Sequence, residues 1–395
     1  MNELQKRSWA EIDLGAIEHN YRAIRAALPT NCRFLGVVKA DAYGHGAVML
    51  AHEYERLGAD WFAVSNLEEA LQLRKNGVSK PILILGYTPA EMAYDLASNR
   101  ISQSVFSLEY ARELSRFAQE FGVEIDIHVK VDTGMSRIGF LFQDEDRDRE
   151  AIAEMTEAAT LPNLRPQGIF THFSSADEGV PGEDYTHRQF QCFTDAIARL
   201  KEAGIEFAIR HCANSAAIFD YPEYHLDMVR PGVVLYGLYP SAQMRNKADL
   251  WPAMELKSVV SMIKKVGQGV YVSYGRTFET SGTTKIATVP IGYADGFFRV
   301  NSGKAQMLVH GRRVRVIGRV CMDQLMLDVT GIDEIKSGDL VTVFGKDGGE
   351  EISAGELAAL SGTIHYELIC LIGKRVPRIY QKGGKTVGSL NYINP

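Results

Sequence analysis

The chain has 395 residues, more than the ~250–300 at which a single hydrophobic core stops growing, so two domains are expected. Apolar residues make up 46%, charged residues 23% and aromatic residues 9%, which fits a folded globular protein and excludes a disordered or collagen-like one. Lys+Arg 43 against Asp+Glu 49 leaves a net charge of −6, which argues against a nucleic-acid binder and favours small ligands or protein surfaces. No apolar run reaches the ~18–20 residues of a membrane span, and the opening MNELQKRSWAEIDL has no apolar leader core, so neither a membrane association nor a signal peptide is expected. The cysteines Cys32, Cys192, Cys212, Cys321 and Cys370 are odd in number, far apart and without a CxxC pair. That predicts reduced thiols in a cytoplasmic protein and no metal site.

From about residue 30 to 240, short apolar runs alternate with amphipathic stretches of helical period. The runs are FLGVVK ending at Lys39, WFAVS at Ser65, PILILGY at Tyr87, ISQSVFS at Ser107, VEIDIHVKVD around Lys130, PQGIFTHF around His172, FAIRH at His211 and HLDMVR at Arg230. Between them lie segments such as LEEALQLRKNG and LEYARELSRFAQEFG, apolar on one face and closed by glycine. Eight strands with intervening helices predict an α/β fold, a TIM-type (β/α)8 barrel. The rival, an open doubly wound sheet, is weakened because no GxGxxG follows the first strand.

Beyond Pro240 the texture changes to β-branched runs such as LKSVVSMIKKV, TKIATVPIGYA, KAQMLVHGRRVRVIGRV, QLMLDV and DLVTVFG, separated by Gly, Asp and Asn. This predicts a mostly antiparallel C-terminal β domain with one helix near AGELAALSG. The expected domains are a barrel over residues 10–243 and a β domain over residues 244–395. Residues 1–9 are expected to pack with the latter, as SWAEIDL reads as a strand.

The predicted C-terminal strand ends carry Lys39, Lys130 with Arg137 just beyond, His172, His211 with Asn214 and Ser215, and Arg230. In a barrel these ends form the active-site face, so the residues should converge. Each alone has an ordinary reading: a snorkelling lysine, a strand-edge charge, a helix cap. Lys39 at a strand mouth is a candidate Schiff-base amine, since desolvation lowers a lysine's basicity. Ser215 is an N-cap type residue, and Gly232 and Val233 follow strand eight. The loops after strands seven and eight are the usual phosphate site of a barrel. A phosphate-bearing cofactor and a strand-one lysine together point to pyridoxal phosphate.

The stretches VVKADAYGHG, HVKVDTGMSRIGF, GIFTHFSSAD, HCANSAA, MVRPGVVLYGLYP, VSYGRTFE, IGYADGFFR, GRVCMDQ and KRVPR resemble those of the alanine racemases over nearly the whole length. VVKADAYGHG together with CMDQ is highly specific. The resemblance implies pyridoxal 5'-phosphate, a homodimer with shared active sites, and interconversion of L- and D-alanine for peptidoglycan synthesis. It implies that Lys39 holds the cofactor and is the base on one face of the substrate, with Tyr274 of the other subunit the base on the opposite face. Tyr43, Ser215, Gly232, Val233 and Tyr366 resemble the phosphate-holding set. Arg230 resembles the partner of the pyridine nitrogen, oriented by His211, and His172 the ring-stacking histidine. Arg137 and the Met322 N–H resemble the substrate-carboxylate clamp. Lys130 matches a lysine often carbamylated in the family, which would hold Arg137. Tyr293, Arg299 and Arg319 match an entrance corridor.

Inverting an α-carbon needs one group on each face, and lysine at ~10.4 and tyrosine at ~10 need tuning to serve as bases at neutral pH. An arginine at the ring nitrogen cannot take a proton, so the electron sink is weakened and reprotonation at Cα is favoured. That argues against a basic amino-acid decarboxylase of related fold, which benefits from an acidic partner there. The C-terminal domain bearing Tyr274 and CMDQ discriminates against the non-enzyme alternative, a cofactor carrier built on a barrel alone, which would need no second base. One departure stands out: Lys374, directly before RVPR, replaces a tyrosine common in the family, so serine or a broader substrate range is an expectation beside alanine.

Overall fold

The computed structural model describes residues 7–144 and 148–394. Its first strands in chain order are β1 (Ser8–Asp13), β2 (Arg33–Val37), β3 (Trp61–Val64), β4 (Ile82–Ile84) and β5 (Ile101–Val105). They are followed by β6 (Ile125–Asp132), β7 (Phe140–Leu141), β8 (Leu164–Phe170), β9 (Ile209–His211) and β10 (Met228–Val229). The chain forms two compact units. One takes in Ala16–Ala42 and Ala47–Trp251; the other takes in the chain up to Gly15, Tyr43–Gly46 and the chain from Pro252 onward.

The first unit is the barrel. Its sheet runs in the order β10-β2-β3-β4-β5-β6-β8-β9 with every pairing parallel, and β7 adds to β6. The ring closes through Asp227 N–H to Arg210 O at 3.1 Å and Arg230 N–H to Ala213 O at 3.0 Å. All eight apolar runs of the sequence fall on these strands. The residues of β3 and β4 themselves are buried throughout, as expected where helices cover the outer face and side chains fill the lumen. The helices begin and end where their caps dictate. Asn66 accepts the Glu69 N–H ahead of Leu67–Lys75, and Ser107 accepts the Tyr110 N–H ahead of Leu108–Phe121. Gly122, at φ 63°, closes the latter in the left-handed conformation.

The second unit adds β11 (Met254–Val259), β12 (Met262–Val266), β13 (Tyr271–Val272), β14 (Phe278–Glu279), β15 (Thr284–Val289) and β16 (Gln306–Val309). Then come β17 (Arg312–Ile317), β18 (Leu325–Asp328), β19 (Leu340–Asp347), β20 (Glu350–Ile352), β21 (Arg378–Lys382) and β22 (Lys385–Leu390). Among the described residues the large sheet is ordered β12-β15-β18-β17-β16-β19-β11-β1-β21-β22, with β20 on β19. Its pairings are antiparallel except β1 with β21. SWAEID therefore does join the C-terminal sheet, while residues 1–6 lie outside the described set. Besides the expected helix at Ala354–Leu360 there is a second at His365–Cys370, too short to show a helical period in sequence. The segment Tyr43–Gly46 packs into this unit through glycine: a Cβ on Gly44 would lie 2.2 Å from Ile369 O, and one on Gly46 1.9 Å from the Tyr380 hydroxyl.

Candidate active site

Lys39 follows the end of β2 and opens an unusual turn. Ala40, Asp41, Ala42 and Tyr43 are all left-handed, with φ 51–55°, a conformation that costs L-residues ~1–2 kcal/mol each. The surroundings enforce it: Glu69 accepts the Ala40 N–H at 2.7 Å and the Ser65 N–H at 2.7 Å, and Asp41 accepts the Ala47 N–H at 2.8 Å. Strain of this kind persists where a site needs it.

Arg230, 4% exposed, lies just past β10. It donates to His211 Nδ1 at 3.0 Å, Thr171 O at 2.7 Å, Cys212 O at 3.0 Å and His172 Nδ1 at 3.4 Å. Every one of these partners is uncharged. Burial pulls Arg230 down to about 10, which leaves it a cation at neutral pH. Burial and the same cation push His172 and His211 well below the ordinary histidine range. Lys130 points into the same lumen, 3% exposed, with its Nζ lacking a hydrogen-bond partner and lying 4.8 Å over the Phe170 ring. Burial, then Arg230 and Arg137, drive its basicity far below that of a free lysine. Arg137 itself is exposed, on a loop shaped by Asp132, which accepts the N–H groups of Gly134 and Ser136.

Ser215 does not cap a helix. Asn214 does, accepting the Ala217 N–H at 3.1 Å, while Ser215 Oγ accepts the Gly232 N–H at 2.9 Å. The Ser215 O–H is thus left to donate elsewhere, and Val233 opens a 3-10 turn whose first N–H has no acceptor within the turn.

In the C-terminal unit, Tyr274 stands on a 3-10 turn between β13 and β14, 69% exposed. An isolated strand tyrosine would be half-buried; here Ser273 at φ 66° and Gly275 at φ 70° turn it outward, and Ser273 Oγ anchors the turn on Arg319 O at 2.6 Å. Beneath it lies an open groove of about 380 Å³ lined by Val266, Val270, Val272, Ile286 and Met326. Met322 is 52% exposed, not core filler, and Tyr293 and Arg299 are also exposed while Arg319 is half-buried. Tyr43 is buried in this unit with its ring 6.1 Å from that of Tyr366. Lys374 is exposed.

Residues 12–240 match the alanine racemase N-terminal domain and residues 253–380 the alanine racemase C-terminal domain. The chain belongs to the alanine racemase family. It is 49% identical to an alanine racemase of Desulfovibrio desulfuricans over 94% of its own length and 97% of the relative's. Among solved structures, an alanine racemase of Clostridium difficile 630 superimposes with a TM-score of 0.93 at 41% identity, covering 99% of this chain and 100% of that one. An alanine racemase of Bacillus anthracis with bound L-Ala-P does so at 0.91 and 38% identity, with 98% of each chain covered.

The sequence reading overlooked one part of this alanine racemase fold, the polar filling of the barrel. A guanidinium only donates, so His211 must accept at Nδ1 and carry its proton on Nε2. That nitrogen is 2.9 Å from His128 Nδ1, so His128 in turn carries its proton on Nε2, facing Gln167 Oε1 at 3.4 Å. Gln167 Oε1 also accepts from Ser102 at 3.1 Å. Burial lowers His128 to about 3, so the chain is neutral behind the single cation. The β6–β8 register shifts at Ile127/His128, and glycine at 168 makes the room. A Cβ there would sit 2.5 Å from His128 Nδ1 and 2.9 Å from Ile209 O. Gly168→Ala should therefore lower stability by ~1–3 kcal/mol through overpacking, read as a lower midpoint in urea; an unchanged midpoint would mean His128 can step aside. The signal was present in VEIDIHVKVD, where Asp126, His128, Lys130 and Asp132 occupy alternate positions and so share one face.

Proposed function

We propose that the protein interconverts L- and D-alanine with pyridoxal phosphate, using Lys39 and Tyr274 as bases on opposite faces of the substrate. The observation that carries this reading is Arg230: a buried cation, held only by neutral partners, at the strand-end face that also bears Lys39. A ring nitrogen meeting Arg230 finds a donor that keeps its proton, which fits racemisation better than decarboxylation. The residues suit the cofactor's groups: the Ser215 hydroxyl with the N–H groups of Gly232 and Val233 would hold a phosphate, Lys39 would attach covalently, and the family resemblance adds Tyr43 and Tyr366 to the phosphate-holding set. When bound, pyridoxal phosphate supplies the electron sink that acidifies the substrate's Cα–H.

The remaining work falls to the chain. Lys39 Nζ and Tyr274 Oη take and return the proton, one on each face. His172 would lie beside the cofactor ring, and Arg137 with the Met322 N–H would hold the substrate carboxylate. Burial and the nearby Arg230 and Arg137 favour the neutral amine of Lys130, the form that would add carbon dioxide, with loss of a proton, to give a carbamate able to pair with Arg137. Tyr293, Arg299 and Arg319 line the approach. The exposed Tyr274 and its apolar groove support a two-fold homodimer in which a second copy covers them. No disulfide joins the described cysteines, which supports a cytoplasmic location, where the D-alanine made would serve peptidoglycan synthesis. Among the described residues no helix is long and apolar enough to cross a membrane.

The test is a chiral assay of the purified, cofactor-loaded protein on L-Ala, L-Ser, L-Lys and L-Arg. Alanine should be turned over fastest, with serine second if Lys374 tolerates a hydroxyl. Turnover of lysine or arginine alone would overturn the reading.

A further inference from the structure

Asp295, in the GYADG stretch, has an ionised carboxylate in a place that water does not reach. Its side chain is 0% exposed. Burial opposes its charge, but the bonds from Arg375, Arg7 and the Gly292 N–H outweigh that and hold it below the usual carboxylate range. Oδ1 lies 2.5 Å from Arg7 and 2.8 Å from Arg375 Nε, and Oδ2 accepts the Gly292 N–H at 2.9 Å. Arg375 continues to Asp323 at 2.6 Å. Asp323 is the neighbour of Met322 in CMDQ, and Arg375 belongs to KRVPR.

The backbone repeats the linkage. Tyr293 N–H donates to Cys321 O at 3.1 Å, Ala294 N–H to Met322 O at 3.0 Å, and Gly373 N–H to Asp295 O at 2.9 Å. One buried carboxylate thus ties three loops: the turn bearing Tyr293, the loop bearing Met322 and the start of KRVPR. Two arginines and two aspartates balance in charge, and the fully buried Asp295 carboxylate at their centre is costly unless its partners are tightly set. A geometry that is tightly set also fixes what it supports.

We propose that Asp295 is the positioning residue of the substrate-carboxylate subsite: through the Gly292 N–H and through Arg375–Asp323 it sets the orientation in which the Met322 N–H meets the carboxylate. This rests on the reading of Met322 as a carboxylate donor. Asp295→Asn keeps the shape and removes the charge that organises both arginines. Asp323→Asn, on an exposed residue, removes only the outer anchor of Arg375 and threatens folding least.

The experiment uses cofactor-loaded enzyme and measures kcat and KM for L-alanine, the Ki of propionate as a bare carboxylate probe, and bound cofactor. Asp295→Asn should raise KM and the propionate Ki together by roughly 10-fold or more, the loss of a well-aligned charge-assisted contact, with bound cofactor unchanged and kcat moving much less. Asp323→Asn should move both constants the same way by a smaller factor. A purely structural role would lower thermal stability and leave KM and Ki in place. Should Asp295→Asn not fold, Asp323→Asn decides alone. A wild-type enzyme that racemises alanine yet ignores propionate would overturn the carboxylate-clamp reading; inhibition of the wild type with Ki unmoved in the variants would overturn the role of Asp295.

Discussion

Lys39→Ala and Tyr274→Phe variants should each lose at least ~10³-fold of alanine racemase activity if, as proposed, each residue transfers a proton on one face of the substrate. Mixing the two after dissociation and reassociation should bring activity back. Lys39 is fixed by the left-handed turn that Glu69 and Asp41 hold, so its place at the end of β2 does not depend on Tyr274. Tyr274 stands exposed on its own turn, some 235 residues later in the chain. If a second copy covers that surface, a mixed dimer has one site built from the Lys39 of one chain and the Tyr274 of the other, and one site lacking both. Random reassociation makes half the dimers mixed, so about a quarter of wild-type activity should return. If both bases acted within one chain, every site would still lack one, and mixing would restore nothing.

Arg230→Glu should slow racemisation by at least ~10²-fold and open a side reaction. The change replaces a group that cannot take a proton with one that can, at the position read as facing the ring nitrogen. With a proton acceptor there, the proton taken from Cα would return elsewhere more often, read as pyruvate released from alanine with its amino group left on the cofactor, about one equivalent per site. The variant should also lose stability, because His211 Nδ1, Thr171 O and Cys212 O each lose a buried donor, at ~1–3 kcal/mol for each group left unsatisfied. Arg230→Lys separates the two effects: it keeps a donor-only cation, so it should restrain the side reaction even where packing suffers. Wild-type kinetics and no pyruvate from Arg230→Glu would make Arg230 a structural residue only.

The barrel was legible because its strands are largely buried and most read as short apolar runs, with amphipathic helical stretches between them. The clustering of Lys39, His172, His211 and Arg230 at strand ends was legible for the same reason: a polar residue ending an apolar run has one place to be. Other features depend on partners distant in sequence. Ser215 and Asn214 are both capping types, and only the Gly232 N–H decides which of them caps. The left-handed turn at Ala40–Tyr43 has no glycine to announce it and is held by Glu69 and Asp41. His128 was passed over because a polar residue inside a strand reads as solvent-facing until the lumen that receives it is known. Asp295 was unremarkable because its arginines lie 288 and 80 positions away.

The most direct test of the two-base account is the fate of the Cα hydrogen when wild-type enzyme converts L-alanine in D2O, followed over the first few per cent of reaction by chiral separation and mass spectrometry. Two bases on opposite faces predict D-alanine carrying deuterium at Cα while the remaining L-alanine keeps its protium. D-alanine formed largely with the original protium would mean that one group removes and returns the same proton, and would contradict the assignment of Lys39 and Tyr274 to opposite faces.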